Sequence, residues 1–179
     1  MADTHSHTGQ RTRTTIRYPN GDRYEGELLD GQPDGKGRFF YASGDRYEGD
    51  FADGLFHGKG TYRWNDGEWY IGDWIAGRRT GKGLYDWGDG ERYIGEWRDD
   101  RRTGKGVYYR DGGGRYIGDF LEDKRTGRGV YHYVNGDRYE GEFLDNERHG
   151  EGVLHRADGS SLAGRWEYDE FVGNPSEKQ

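Results

Sequence analysis

An all-β fold, an elongated and twisted single-sheet β-meander of about seven 23-residue β-hairpin repeats, is the class this sequence predicts. Three observations lead there. The chain has an internal period of 23 residues, each period holds two short strand-like segments set off by turn residues, and no segment keeps a helical period.

The period is read from the residues themselves. Tyr24, Tyr47, Tyr70, Tyr93, Tyr116 and Tyr139 are spaced 23 apart, with Leu162 on the same ruler. Gly26, Gly49, Gly72, Gly95, Gly118, Gly141 and Gly164 keep step, and so does a large apolar column from Leu28 and Phe51 through Trp74, Trp97, Phe120 and Phe143 to Trp166. A G-x-G pair recurs from Gly35 and Gly37 to Gly150 and Gly152.

Within a unit the first strand follows the G-x-G, as in "VYHYV" at 130–134, and the second is "RYEGEFL" at 138–144. Between them "NGD" at 135–137 predicts a tight turn, because Asn-Gly suits the positive φ angles of type I′. The polar link "DNERHGEG" at 145–152 returns the chain. Two strands per repeat give roughly 14 strands, an advance of about 9.6 Å per repeat and a span of about 60–65 Å. The predicted organisation is a disordered tail over 1–14, the array over 15–173 and a second tail over 174–179.

Composition agrees with a thin, ring-rich apolar layer. Only 30% of the 179 residues are hydrophobic, yet there are 15 Tyr, 6 Trp, 7 Phe and 34 Gly. Cysteine is absent, which excludes disulfides, thiol catalysis and Cys-based zinc sites. With no apolar leader and no long apolar run, the expectation is a soluble intracellular protein. The net charge of −7 argues against nucleic acid as a partner. The histidines form no metal set, no cofactor is expected, and no unique catalytic constellation stands out from the repeating carboxylates.

Alternation puts Tyr139, Gly141 and Phe143 on one face and Glu140 and Glu142 on the other. We expect the register that gathers the rings, joining Phe39, Tyr62, Tyr85, Tyr108 and Tyr131 to the Tyr and Trp columns; it requires a loop longer than two residues and separates Tyr41 from Glu48. On the opposite face Ile71, Ile94 and Ile117 replace the Glu of other repeats, beside Leu84, Val107, Val130 and Val153, and Trp69 replaces an Arg. Strand propensity explains single changes of this kind; a contiguous patch covered by a partner explains them together.

The run "RRTGKG" at 78–83 and 101–106, with "KRTGRG" at 124–129, suggests phosphate, but only three residues separate Gly77 from Gly81 and no Ser or Thr follows Lys82. A P-loop needs both features. The run is expected to turn the chain, with both glycines supplying backbone angles closed to other residues. Arg79, Lys82, Arg102, Lys105 and Arg125 remain the candidates for an anionic lipid edge, against the stronger alternative of a salt-laced polar edge.

"YEGEW"-like cores followed by "NGxxHGxG"-like links at this spacing resemble MORN repeats over residues 16–173; Thr80, Thr103 and Thr126 depart from the usual His kept at His57 and His149. The resemblance implies a non-enzymatic scaffold that binds proteins of a cytoskeletal assembly, such as a ciliary axoneme or radial spoke, through a docked helix or a strand edge. A homodimer through a free edge is compatible with it. The alternative it implies is a phosphoinositide or anionic-membrane adaptor. The placement it implies is cytoplasm and cytoskeleton, with the axoneme of cilium or flagellum. Candidate partner-binding residues are Trp64, Trp69, Ile71, Trp87, Ile94, Ile117 and Tyr133.

Overall fold

The recurring rings and glycines fold into strands. The computed structural model describes residues 9–173, so the tail expectations for 1–8 and 174–179 lie outside the described residues. Among the described residues every regular element is a β-strand. The chain divides into two units, residues 1–78 and 79–179.

The first unit holds β1 (Thr12–Arg17), β2 (Arg23–Leu29), β3 (Gln32–Phe40), β4 (Arg46–Ala52), β5 (Leu55–Arg63) and β6 (Trp69–Ile75). The second takes in β7 (Arg78–Asp86) from its second residue on, then β8 (Arg92–Arg98), β9 (Arg101–Tyr109) and β10 (Arg115–Leu121). It continues with β11 (Lys124–His132), β12 (Arg138–Leu144), β13 (Glu147–His155), β14 (Ser161–Glu167) and β15 (Glu170–Gly173). Within each unit the strands lie side by side in chain order, each antiparallel to the next: an open β-meander. β1 starts at Thr12, inside the stretch expected to be a tail.

Two kinds of turn alternate. After β8, Arg98 pairs with Arg101, leaving Asp99 and Asp100 at φ 47° and 68°, the two-residue type I′ geometry. Glu122–Asp123 and Asp145–Asn146 repeat it. The reversal is therefore complete before the basic run begins, and "RRTGKG" and "KRTGRG" lie inside β7, β9 and β11 instead of turning the chain. Asp and Asn tolerate the left-handed region, so two residues suffice and the run is free to pair.

At the other end, "NGD" belongs to a five-residue loop, Tyr133–Asp137, in which Tyr133 N–H donates to the Asp137 carbonyl at 2.9 Å and Gly136 N–H to the Tyr133 carbonyl at 3.1 Å. Gly136 has φ 90° and Asn135 is not left-handed, so the type I′ expectation fails there. The longer loop keeps the parity that gathers the rings. Phe39 pairs with Tyr47, Tyr108 with Tyr116 and Tyr131 with Tyr139. Tyr41 lies tilted against Phe39 at 4.6 Å, while Glu48 pairs with Arg38 on the opposite face.

The two glycines of G-x-G do different things. Gly104 has φ 55° and makes a bulge: Gly95 faces Gly106, but Glu96 already faces Thr103. Gly106 is not left-handed, which corrects the expectation for the second glycine. It is glycine because the Tyr93 ring lies against it, and a Cβ there would overlap Cε2, Cζ and Oη of that ring.

The same contact recurs between Tyr24 and Gly37, Tyr47 and Gly60, Tyr116 and Gly129, and Tyr139 and Gly152. Tyr24, Tyr47, Tyr70, Tyr93, Tyr116 and Tyr139 are 0% exposed. Each ring reaches along its own strand to donate its hydroxyl to the carbonyl three residues on, as from Tyr24 to Glu27 at 2.7 Å and from Tyr93 to Glu96 at 3.1 Å. Edge contacts then link neighbours: Tyr93 meets Trp97 at 5.3 Å and Phe120 at 5.0 Å, and Tyr116 meets Phe120 at 5.2 Å and Phe143 at 4.9 Å. Such pairs contribute about 0.5–1.5 kcal/mol each beyond area burial.

Burial pushes the phenols of Tyr24 and Tyr139 up to about 12 and those of Tyr47, Tyr93 and Tyr116 higher still. A raised phenol pKa means the folded state keeps its proton longer than the unfolded one. That contribution to stability is whole below pH 10 and drains as pH rises through the folded values.

Two outcomes are expected from urea unfolding. Gly106→Ala lowers the unfolding free energy by about 3 kcal/mol, since the Tyr93 ring leaves nowhere for a methyl. The parent chain loses stability progressively from about pH 10 to about 12 and keeps it near pH 9. A flat midpoint over that range would contradict the ring layer.

Candidate partner-binding surface

Facing away from the rings, the second unit carries an aliphatic row. Ile94 lies across from Leu84 and Val107, Ile117 across from Val107 and Val130, and Val153 across from Glu140 and Ala163. Ile94 is 42% and Ile117 40% exposed. A parallel row is charged and paired across strands, with Lys105 Nζ 2.5 Å from Asp119 and Arg128 3.8 Å from Glu142. Between the rows run the backbones of Gly106, Gly118, Gly129, Gly141, Gly152 and Gly164. The result is an open trough of about 930 Å³ with one greasy wall, one salt-laced wall and a glycine floor.

The predicted partner-binding residues fall into separate groups. Ile94 and Ile117 share the trough wall. In the first unit Ile71, 49% exposed, faces Thr61, and the Arg63 guanidinium stands 5.8 Å over the Trp69 ring. Trp64, Trp87 and Tyr133 instead belong to the ring face at the loop ends, each tilted on a tyrosine two residues before it: Tyr62 at 4.5 Å, Tyr85 at 4.5 Å and Tyr131 at 4.6 Å. Leu121 and Leu144, both exposed, were not singled out from sequence, although their position is periodic with Ile75.

The basic residues also part company. Lys105 lies on the charged wall of the trough. Lys82 faces Glu96 in register. Arg79, Arg102 and Arg125 lie over the rings on the other face. Arg102 donates from Nε to Asp123 Oδ1 and from Nη2 to the Asp123 carbonyl, both at 3.0 Å, while its guanidinium sits 5.5 Å from Tyr108 and 5.7 Å from Phe120. Arg79 does the same with Asp100 and Trp97. Arg125 bonds the Asn146 carbonyl at 2.5 Å. Arg148, absent from the sequence-based set, completes the series against Asp169 and Trp166. Each arginine clasps the type I′ turn of the following repeat and caps the ring layer. The five residues proposed for an anionic edge thus occupy two faces.

This division is measurable. Arg102→Ala should lower the unfolding free energy by about 2 kcal/mol, because a charge-assisted, partly desolvated pair and its ring contacts are lost. Lys105→Ala, on an exposed pair, should change it by about 0.5 kcal/mol or less. Equal losses would place the two side chains in equivalent surroundings.

The MORN repeat family matches six consecutive segments of the chain: residues 24–46, 47–69, 70–92, 93–115, 116–138 and 139–161. No curated protein matches the sequence. Among solved structures, the chain is similar to the TCP domain of Drosophila melanogaster SAS-4 (dCPAP), solved in complex with a proline-rich motif of Ana2 (dSTIL). The two share 14% identity and a TM-score of 0.53, over 93% of this chain and 95% of that one. The TCP10 domain of Danio rerio CPAP, in complex with a peptide of Danio rerio STIL, is 14% identical over 87% of this chain and 84% of that one, with a TM-score of 0.27. MORN repeats are non-catalytic modules that meet proteins or membranes. With six repeats in unbroken succession and the tyrosine-on-glycine core they encode, this chain belongs to the MORN-repeat family.

Proposed function

We propose that the chain is a non-enzymatic scaffold that holds other proteins of a cytoskeletal assembly, of the axonemal or radial-spoke kind, and that the trough of its second unit is a partner surface. The observation that carries this is the exposure of Ile94 and Ile117 beside Val107, Val130 and Val153, where the repeat elsewhere places Glu. Aliphatic side chains held in water along a glycine floor gain when a partner covers them. The Drosophila SAS-4 domain, which is similar in fold, was solved in complex with a proline-rich motif, and this supports a peptide-binding role for a chain of this fold. The cytoskeletal setting rests on the resemblance to stand-alone MORN proteins. The lipid-adaptor reading has less support, since Arg79, Arg102 and Arg125 are committed to the ring face.

The test is proximity labelling in the native cell with the parent chain and Ile94→Glu. The variant should fold normally by circular dichroism and lose its cytoskeletal neighbours, to about a tenth of the parent signal. An unchanged set of neighbours would remove the trough, and a set dominated by membrane proteins would remove the scaffold.

A further inference from the structure

We infer that the loop between β9 and β10 forms a notch that receives the side-chain carboxylate of an Asp or Glu from a bound protein segment. The four loops before this one and the loop after it end in an acid that it lacks; the last loop ends in Ser160. The last residue of the five-residue loop is acidic at Asp22, Asp45, Glu68, Glu91 and Asp137. Where its bonds are seen, that carboxylate serves the next repeat in two ways. It accepts the N–H of the second residue of the next loop: Ala42 to Asp22 at 2.8 Å, Asn65 to Asp45 at 2.9 Å and Ala157 to Asp137 at 2.9 Å. It also accepts a ring hydroxyl of the next repeat, Tyr62 to Asp45 at 3.3 Å and Tyr108 to Glu91 at 2.6 Å.

At this position the fifth loop has Gly114. The groups that a carboxylate would serve are still present. A Cβ on Gly114 would stand 3.0 Å from the Tyr131 hydroxyl, and the equivalent amide is that of Val134. Tyr131 and Val134 line an open notch of about 440 Å³ with Gly114, Arg110 and Tyr133. Neither the Tyr131 hydroxyl nor the Val134 amide has an acceptor among the described residues. Arg110 occupies the place that Tyr41, Trp64 and Trp87 fill in other repeats, and so adds a cation where those add a ring. Asp111, exposed on the same loop, also lines the notch and sets a cost on any anion that enters.

A hydroxyl, an amide and a guanidinium around one opening are a donor set for a carboxylate. In the other loops that group comes from a protein side chain. Tyr133 and Val134, the latter 72% exposed, offer an apolar shelf for the chain that bears it. The notch rests on the reading of the protein as a scaffold, and supplies the chemistry of one contact on the ring face, apart from the trough.

The test is a titration of the ¹⁵N-labelled full chain with three probes: a capped Gly-Asp-Gly peptide, its Gly-Asn-Gly counterpart and sodium acetate. The Asp peptide should shift the Val134 amide saturably and leave the Ala42, Asn65 and Ala157 amides in place. The Asn peptide should bind about tenfold more weakly, the value of a charge-assisted bond. Gly114→Asp, at a residue outside the left-handed region, returns the side chain of other loops and should abolish the response. Tyr131→Phe, which keeps the ring, should weaken it about tenfold. No shift at Val134, an equal response to the Asn peptide or an unchanged response in Gly114→Asp would overturn the notch. Acetate binding as tightly as the peptide would assign it to a free carboxylate and overturn the protein segment. A negative titration leaves the Ile94→Glu outcome standing, so the two failures are distinguishable.

Discussion

The structure depends on a tyrosine ring lying flat over a cross-strand pair of glycines. A single sheet has no second layer of strands or helices to cover its apolar face, which is the usual route to a core. Here each ring covers the strands it grows from. Tyr93 rests over Gly95 and Gly106, which face one another, and its hydroxyl finds a carbonyl at Glu96. Remove either glycine and the ring has to lift; remove the bulge at Gly104 and the strand edge no longer follows the ring. Tyr-x-Gly on one strand and Gly-x-Gly on the next are two halves of one device.

The capping of that device differs between the units. In the first, Phe56 stacks on Tyr47 at 3.8 Å and 13°. In the second, the equivalent positions are Arg79, Arg102, Arg125 and Arg148, and a guanidinium plane replaces the ring. An arginine so placed needs an acceptor, and Asp100, Asp123, Asn146 and Asp169 supply it from the following turn. Basic runs and acidic turns therefore rise together, and a chain with conspicuous "RRTGKG" runs still carries a net charge of −7.

The fold was legible because its rules are periodic. The Tyr, Gly and large apolar columns, read from sequence alone, are the core, and the ring-gathering register is the observed one. Less legible was anything decided by a single backbone angle. Asp99–Asp100 gives no stronger turn signal than "NGD", yet the first makes the two-residue reversal and the second sits in a longer loop. The arginines misled for a related reason: sequence shows their charge, and only the register of Trp97 with Arg102 shows that the stem is laid across rings. The candidate surface was half legible. Ile94 and Ile117 were found by their departure from the repeat, whereas the sorting of Trp64, Trp87 and Tyr133 onto the other face followed from loop length. Gly114 was in plain view as a missing acid, but its meaning depends on which hydroxyl lies opposite.

The bulge and the five-residue loop also govern how such a gene can change. Each ring must meet its own glycines and the large apolar residue four positions on, so the side chains downstream keep their faces only while the count between landmarks holds. A single-codon deletion within β8 would exchange the inner and outer residues beyond it, whereas loss or gain of an entire 23-residue unit leaves every remaining ring over its own pair. Duplication and excision by whole repeats are therefore the changes in length this architecture tolerates, and single units such as the one with Gly114 become places where a new role can be tried without disturbing the rest.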